Sequence, residues 1–304
     1  MVRVQTSRGA IVNASAAKLT ALTAVTFGAA AMLPTGASGS DTWANNGRII
    51  YISCEMGVCD PHTSKDDGTG EEPIVIPGFE DTPTVSDNGK RIAFRQGGDI
   101  WVAKSDGSDL DNITDSPGVS ETEPDISPDG KSIVYTSFSG SAGDIVRSKI
   151  DGTGVDPIVE GTTDDGAPEW SPDGKSIAFE RGETSITTLD VYVMKEDGSH
   201  RKQKTDTPQK SEFSPTWSPN GERIALSQAM GSGSKLKTIN ASGGPMKDVG
   251  VNAGSPYVPS YSPNGQRLSF FDFHNGRQDV FTVKLNGKGK RNITDDANSD
   301  FFYD

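Results

Sequence analysis

With 42 acidic against 29 basic side chains in 304 residues, the chain has net charge −13 and lacks the basic footprint that phosphate binding needs, which excludes a nucleic-acid role. Its 35 Gly and 18 Pro suit many short strands and turns and disfavour a helical fold. The length admits two average domains or one closed all-β architecture, and 33% hydrophobic residues still allow a sizeable core.

The chain opens with Arg3, Arg8 and Lys18, then Leu19 to Leu33 without a charge, then the small-residue stretch "PTGASGS". That order predicts a secretory signal peptide over residues 1–39, cleaved after Ala37 or Gly39, and hence an exported protein. The apolar run, interrupted by threonines, is shorter than the roughly 20 residues that span a bilayer, so no membrane span is expected after cleavage. Residues 40–46 read as a short linker and 47–304 as the folded unit. Without the leader, 26 basic against 42 acidic residues leave −16, a balance suited to basic partners, cations or plain solubility.

Cys54 and Cys59 are the only cysteines. In an exported chain they are expected to form a disulfide, closing a loop so short that it contributes only about 2 kcal/mol. They lack the C-x-x-C spacing of a redox centre.

From Pro83 onward the sequence repeats itself. Prolines at 83, 124, 168, 215 and 259 precede five versions of one phrase, clearest in Trp170-Ser171-Pro172-Asp173-Gly174. A fixed period in this range signals a propeller or a solenoid. Within each unit an Asp/Asn-Gly turn leads into a short apolar strand such as Ser176 to Phe179. A third strand follows, such as "DVYVMK" from Asp190, then a second tight turn such as Asp197-Gly198 and a fourth strand, clearest at Asn112-Ile113-Thr114. Four antiparallel strands per unit make a propeller blade. Arg48 to Tyr51 starts at a second strand, while Phe301 to Asp304 reads as a first strand with nothing after it. Joining them closes one composite blade, so the expected fold is an all-β, six-bladed β-propeller of four-stranded antiparallel blades.

This grammar resembles the WD40-like PD40 repeat, and the array is similar to the six-bladed propeller of the TolB family. The resemblance runs from Gly47 to Asp304. It implies the fold and an envelope location, periplasmic, secreted or wall-associated, and the α/β domain that precedes the propeller in TolB is expected to be missing.

Strand alternation puts both turn families on one face, flanked by Lys90, Arg91, Lys131, Lys175, Arg223 and Arg267, and the variable loops with the blade crossovers on the other. The crossovers hold twelve carboxylates against one base, Lys210. Counting three residues back from the repeat prolines gives Glu80, Glu121, Asp165 and Glu212; with Asp300 these are expected to form a partial acidic ring at the channel mouth, able to take a cation or a basic protein or peptide. The competing reading is that they accept loop hydrogen bonds and keep the protein soluble.

No catalytic constellation is legible. His62, His200 and His274 fall in different blades or on different faces, so no metal site is expected, and calcium remains an option without a motif. No cofactor is expected. Trp101, Trp170, Trp217 and Tyr261 sit at repeat positions on strands and read as core. The sequence therefore points to a monomeric, exported, non-enzymatic module for a basic protein or peptide. Two alternatives stay open: a carbohydrate-active enzyme using mouth carboxylates, or a wall-binding module with Phe271, Phe273 or Tyr257 exposed.

Overall fold

A computed structural model describes residues 31–32, 48–55, 58–65, 68–140, 142–182, 188–231, 233–252, 254–274 and 277–294. They form six four-stranded antiparallel sheets. The first blade comprises β1 (Ala31–Met32), β2 (Arg48–Glu55), β3 (Val58–Lys65) and β4 (Glu72–Pro73). The second is β5 (Asp81–Val85), β6 (Arg91–Gln96), β7 (Asp99–Lys104) and β8 (Asp111–Asn112); the third is β9 (Ser120–Ile126), β10 (Ser132–Phe138), β11 (Asp144–Lys149) and β12 (Asp156–Val159). The fourth runs through β13 (Asp164–Trp170), β14 (Ser176–Gly182), β15 (Leu189–Lys195) and β16 (Lys202–Gln203), and the fifth through β17 (Glu212–Trp217), β18 (Arg223–Met230), β19 (Gly233–Asn240) and β20 (Lys247–Asp248). The sixth holds β21 (Tyr257–Tyr261), β22 (Arg267–His274), β23 (Arg277–Lys284) and β24 (Arg291–Asn292).

The all-β, six-bladed expectation holds. The inner position of the first blade is taken by Ala31–Met32, inside the expected leader, with Ala31 opposite Ile50 and Met32 opposite Ile49. Phe301 to Asp304, expected there, lie outside the described residues. The β2–β3 register sets Cys54 directly opposite Cys59, adjacent positions on neighbouring strands.

The repeated phrase is a hydrogen-bonded device. In the third blade Ser127 Oγ donates to Asp129 Oδ1 (2.8 Å) and accepts the Ser132 N–H (2.9 Å), while Asp129 Oδ1 also accepts the Lys131 N–H (3.0 Å). Gly130 turns the chain at φ +69°. The same serine-to-Asp/Asn bond recurs at Ser86, Ser171, Ser218 and Ser262.

No blade has a core of its own. Alternate residues of each apolar second strand enter different neighbours' seams: Ile92 and Phe94 pack with Ile50, Ile52 and Ile74 of the first blade, whereas Ala93 packs with Ile126, Ile133 and Tyr135 of the third. Six apolar clusters repeat this arrangement around the ring, which closes where Ile49 and Tyr51 meet Tyr257, Phe271 and Val280. Trp170, Trp217 and Tyr261 are buried there as expected; Trp101 is half-buried and donates Nε1–H to Gln96 O (3.1 Å).

The inner strands of the second to sixth blades each carry a bulge at their repeat proline. On β9 the pairing jumps from Thr122↔Thr136 to Asp125↔Val134, two residues facing one. The bulge residue turns left-handed at Glu123 (φ 53°), Ala167 (46°), Ser214 (50°) and Val258 (49°). For Val258, β-branched, that conformation is a marked outlier.

Candidate binding channel

The inner edges of the blades surround the central channel, and the N–H groups there have no strand partner, so side chains of the preceding blade take them. Glu123 Oε2 accepts the Ala167 N–H (2.9 Å) and the Thr136 hydroxyl (2.9 Å). Asp125 Oδ2 accepts the Trp170 N–H (2.7 Å), and its other oxygen the Thr84 hydroxyl (3.2 Å). Glu169 Oε1 accepts the Trp217 N–H (2.8 Å) and the Thr216 hydroxyl (3.0 Å). Glu180 Oε2 accepts the Ser214 N–H (3.0 Å), and Ser227 Oγ the Val258 N–H (2.9 Å). Four carboxylates thus stitch consecutive blades together along the channel.

These acids hold protons well above the ordinary carboxylate range. Burial lifts Glu123 to about 7, against the pull of the Ala167 and Thr136 donors, and the charges of Asp81 and Asp164 add to the rise. Asp125 rises to about 7 through burial, helped by Asp87. Burial and then the neighbouring Asp125 raise Glu169, while burial and then Glu123 carry Glu180 to about 8. Glu180 is only 5% exposed. Glu123, Asp125 and Glu169 are half-buried. At the variable-loop end Asp81 pairs with Arg95 (3.0 Å), and Asp164 accepts the Gly143 N–H (3.0 Å).

The five ring residues expected at the mouth are placed differently from one another. Glu80 is exposed, 3.7 Å from Arg95. Glu121, Asp165 and Glu212 occupy equivalent positions but lie in the seams, at 2%, 1% and 0% exposure. Arg181 neutralises Asp165 with two bonds (2.6 and 3.0 Å). Gln228 Nε2 donates to Glu212 (2.6 Å), and Asp190, on the adjoining blade, lies against the same Glu212 carboxyl. Asp300 lies outside the described residues. The channel acids were missed because Glu123, Asp125 and Glu169 look like part of the repeated phrase. The alternating acids of "SETEPDI" lie on β9, but their spacing does not say which of them faces the channel.

Among the described residues no three His, Cys, Asp or Glu side chains converge as metal ligands. His62 Nδ1 lies 2.9 Å from Glu71, and His200 is exposed beside its turn. Phe271 and Tyr257 are buried; Phe273 is 49% exposed and stacks on Tyr257, with ring centroids 6.3 Å apart.

The family description "TolB beta propeller domain" (PD40) matches residues 40–254. The chain belongs to this family. Among solved structures, TolB from Acinetobacter baumannii is similar at TM-score 0.69 and 20% identity, covering 81% of this chain and 63% of that one. A chain of the nidogen/laminin complex is similar at TM-score 0.64 and 14% identity, over 80% of this chain and 92% of that one. An uncharacterised peptidase, YuxL of Bacillus subtilis, is 31% identical over 124 residues, 39% of this chain and 19% of YuxL. The match thus spans about a fifth of that curated relative. No helix of the described residues is long and apolar enough to cross a membrane.

Proposed function

We propose that this TolB-type propeller is an exported, non-enzymatic binding module that receives a basic segment of a protein or peptide partner at the variable-loop end of its acidic channel. The observation that carries the reading is the run of carboxylates from Asp81 and Asp164 at the mouth through Glu123, Glu180, Asp125 and Glu169 to Asp87, linked by mutual charge effects. Low-dielectric walls lined by one sign of charge focus potential and draw in the opposite sign. The likeness to TolB and to a chain of the nidogen/laminin complex, itself a protein–protein assembly, supports a protein-interaction role for the same scaffold. Export rests on the leader pattern of residues 1–39, and the cross-strand placement of Cys54 and Cys59 suits a disulfide formed outside the cytosol.

Calorimetric titration of the chain from Asp41 with a lysine-rich and a glutamate-rich peptide of equal length tests the reading. Saturable binding of the basic peptide, weakened at least tenfold by Asp164→Asn with Glu123→Gln, is expected; a drop that size is about 1.4 kcal/mol. Equal heats from both peptides would overturn it.

One observation favours a second reading. A carboxyl group that keeps its proton near neutrality, as the half-buried Glu123 and the buried Glu180 do, has the property required of a general acid. Under that reading the protein is a carbohydrate-active enzyme, and release of reducing ends from wall or plant polysaccharides, abolished by Glu180→Gln, distinguishes it from a binder.

A further inference from the structure

Three successive seams solve the same problem in different ways. At each, the residue three before the repeat proline is a buried acid facing the preceding blade, and its cross-strand partner differs: Ser137 opposite Glu121, Arg181 opposite Asp165, Gln228 opposite Glu212. Only the middle acid has a cation. In the other two seams a second carboxylate closes in from the third strand of the preceding blade, Asp99 against Glu121 and Asp190 against Glu212.

Neither pair has a basic partner: Arg181 stands cross-strand from Asp190 but is committed to Asp165, and Lys235, cross-strand from Gln228, is paired with Asp248. Asp99 already accepts Asn112 Nδ2–H (2.8 Å) and the Ser116 N–H (3.1 Å). Thr114 and Ser116 face Glu121 from the crossover, and Tyr135, pushed up to about 12 by its own burial and then by Glu121, faces it from β10 as a neutral phenol. Asp190 accepts Gln203 Nε2–H (3.0 Å) and the Thr205 hydroxyl (3.1 Å), and Thr207 touches Gln228 from the crossover. Among the described residues no Lys, Arg or His pairs with any of the four acids. One oxygen each of Glu121 and Glu212, both buried, receives no donor from the protein. Two adjoining carboxylates so enclosed repel unless one proton lies between them.

We propose that the seam between blades two and three and the seam between blades four and five are proton-held latches. Asp99 and Glu121 share one proton, Asp190 and Glu212 another, and the blades part locally when it is lost. In the seam between them Arg181 supplies the compensating charge, so that seam needs no shared proton. The direction follows from linkage. Burial raises Glu121, and burial and then Glu212 bring Asp190 to about 6, so the folded pair binds a proton that the unfolded chain releases lower down. The latch is fully closed below the ordinary carboxylate range and is lost as pH rises through the raised values. The device is independent of whether the channel binds a partner.

The experiment uses amides that bridge the seams. Glu121 N–H bonds Gly98 O (2.7 Å) across the first latch, and Asp165 N–H bonds Gly143 O (3.0 Å) across the arginine-locked seam. Hydrogen exchange of the whole chain is followed at about pH 5.5 and about pH 8, each amide corrected for its intrinsic rate. Between the two, Glu121 protection is expected to fall at least about tenfold relative to Asp165 protection, and Glu121→Gln, a permanent mimic of the protonated acid, to remove the difference. At the second latch Gln228→Arg, which copies Arg181, is expected to make exchange of the Leu189 amide, bonded to Ser211 Oγ (3.1 Å), independent of pH after correction. Parallel loss at Glu121 and Asp165 overturns the proposal, as does a pH-dependent difference that survives Glu121→Gln. Should Glu121→Gln fail to fold, the unaltered chain and Gln228→Arg still decide.

Discussion

Glu180 concentrates the tension in the channel wall: it is needed as an acceptor for the Ser214 N–H, yet its charge is penalised by burial and by Glu123. Glutamine keeps the acceptor and removes the charge. Glu180→Gln is therefore expected to raise the melting temperature at pH 8 and to change little at pH 4, where the carboxyl is already protonated; the stabilisation at pH 8 should be about 1–3 kcal/mol. Chemical denaturation at both pH values checks it, and equal effects would contradict the assignment. A second residue-level test separates two glycines. Gly152, in the second turn of the third blade, combines φ +77° with an approach to Ile113 O that leaves no room for a Cβ, and Gly107 and Gly198 meet the preceding blade in the same way. Gly130, in the first turn, has φ +69° but a Cβ there would meet only Asn88 Nδ2, at an ordinary 3.9 Å. Alanine at Gly130 is expected to cost about 1 kcal/mol from backbone conformation alone. At Gly152 the docking of blade on blade must also shift, and the cost should exceed about 2 kcal/mol.

At the scale of strands, the bulge at each repeat proline decides where the acids go. Strict alternation would put Glu121, Glu123 and Asp125 on one side of β9. The extra residue reverses the phase, so Glu121 faces Asp99 in the second blade while Asp125 reaches Trp170 in the fourth. This is why the mouth ring was expected where seam acids stand. Turn words, apolar runs and proline spacing are local and survive in one sequence. A bulge is set by inter-blade packing, and nothing in "SETEPDI" announces its phase. The strain is testable: Ala167 sits at φ 46°, so Ala167→Gly is expected to cost less than about 0.5 kcal/mol, because relief of the left-handed penalty offsets glycine's entropy. Ala178, fully buried on a regular strand, should lose more than about 1 kcal/mol on the same change.

For the whole molecule, raised carboxylates in the channel and the seams act together. Each binds its proton more tightly folded than unfolded, so the stability they contribute is present below about pH 4 and drains away as pH rises toward about 8. Thermal melts between pH 5 and 8 should therefore show a falling melting temperature, and a flat or rising profile would show that these groups ionise without penalty. The architecture was legible before the structure because the same word, written five times, stands in units whose turns and strands spell a four-stranded blade. The channel was legible only in part. Its wall is made by the edges of strands whose faces the repeat pattern describes, and edges carry no periodicity of their own.

The placement of all six apolar clusters between blades has a mechanical side. Such a ring is built like an arch of wedge-shaped stones, each held only by its two neighbours. Excising one blade would strip the packing from two seams at once and leave a gap that no remaining piece is shaped to fill. Pulled from its ends, the chain should resist as one body and then give way in a single rupture, with no stepwise shedding of blades.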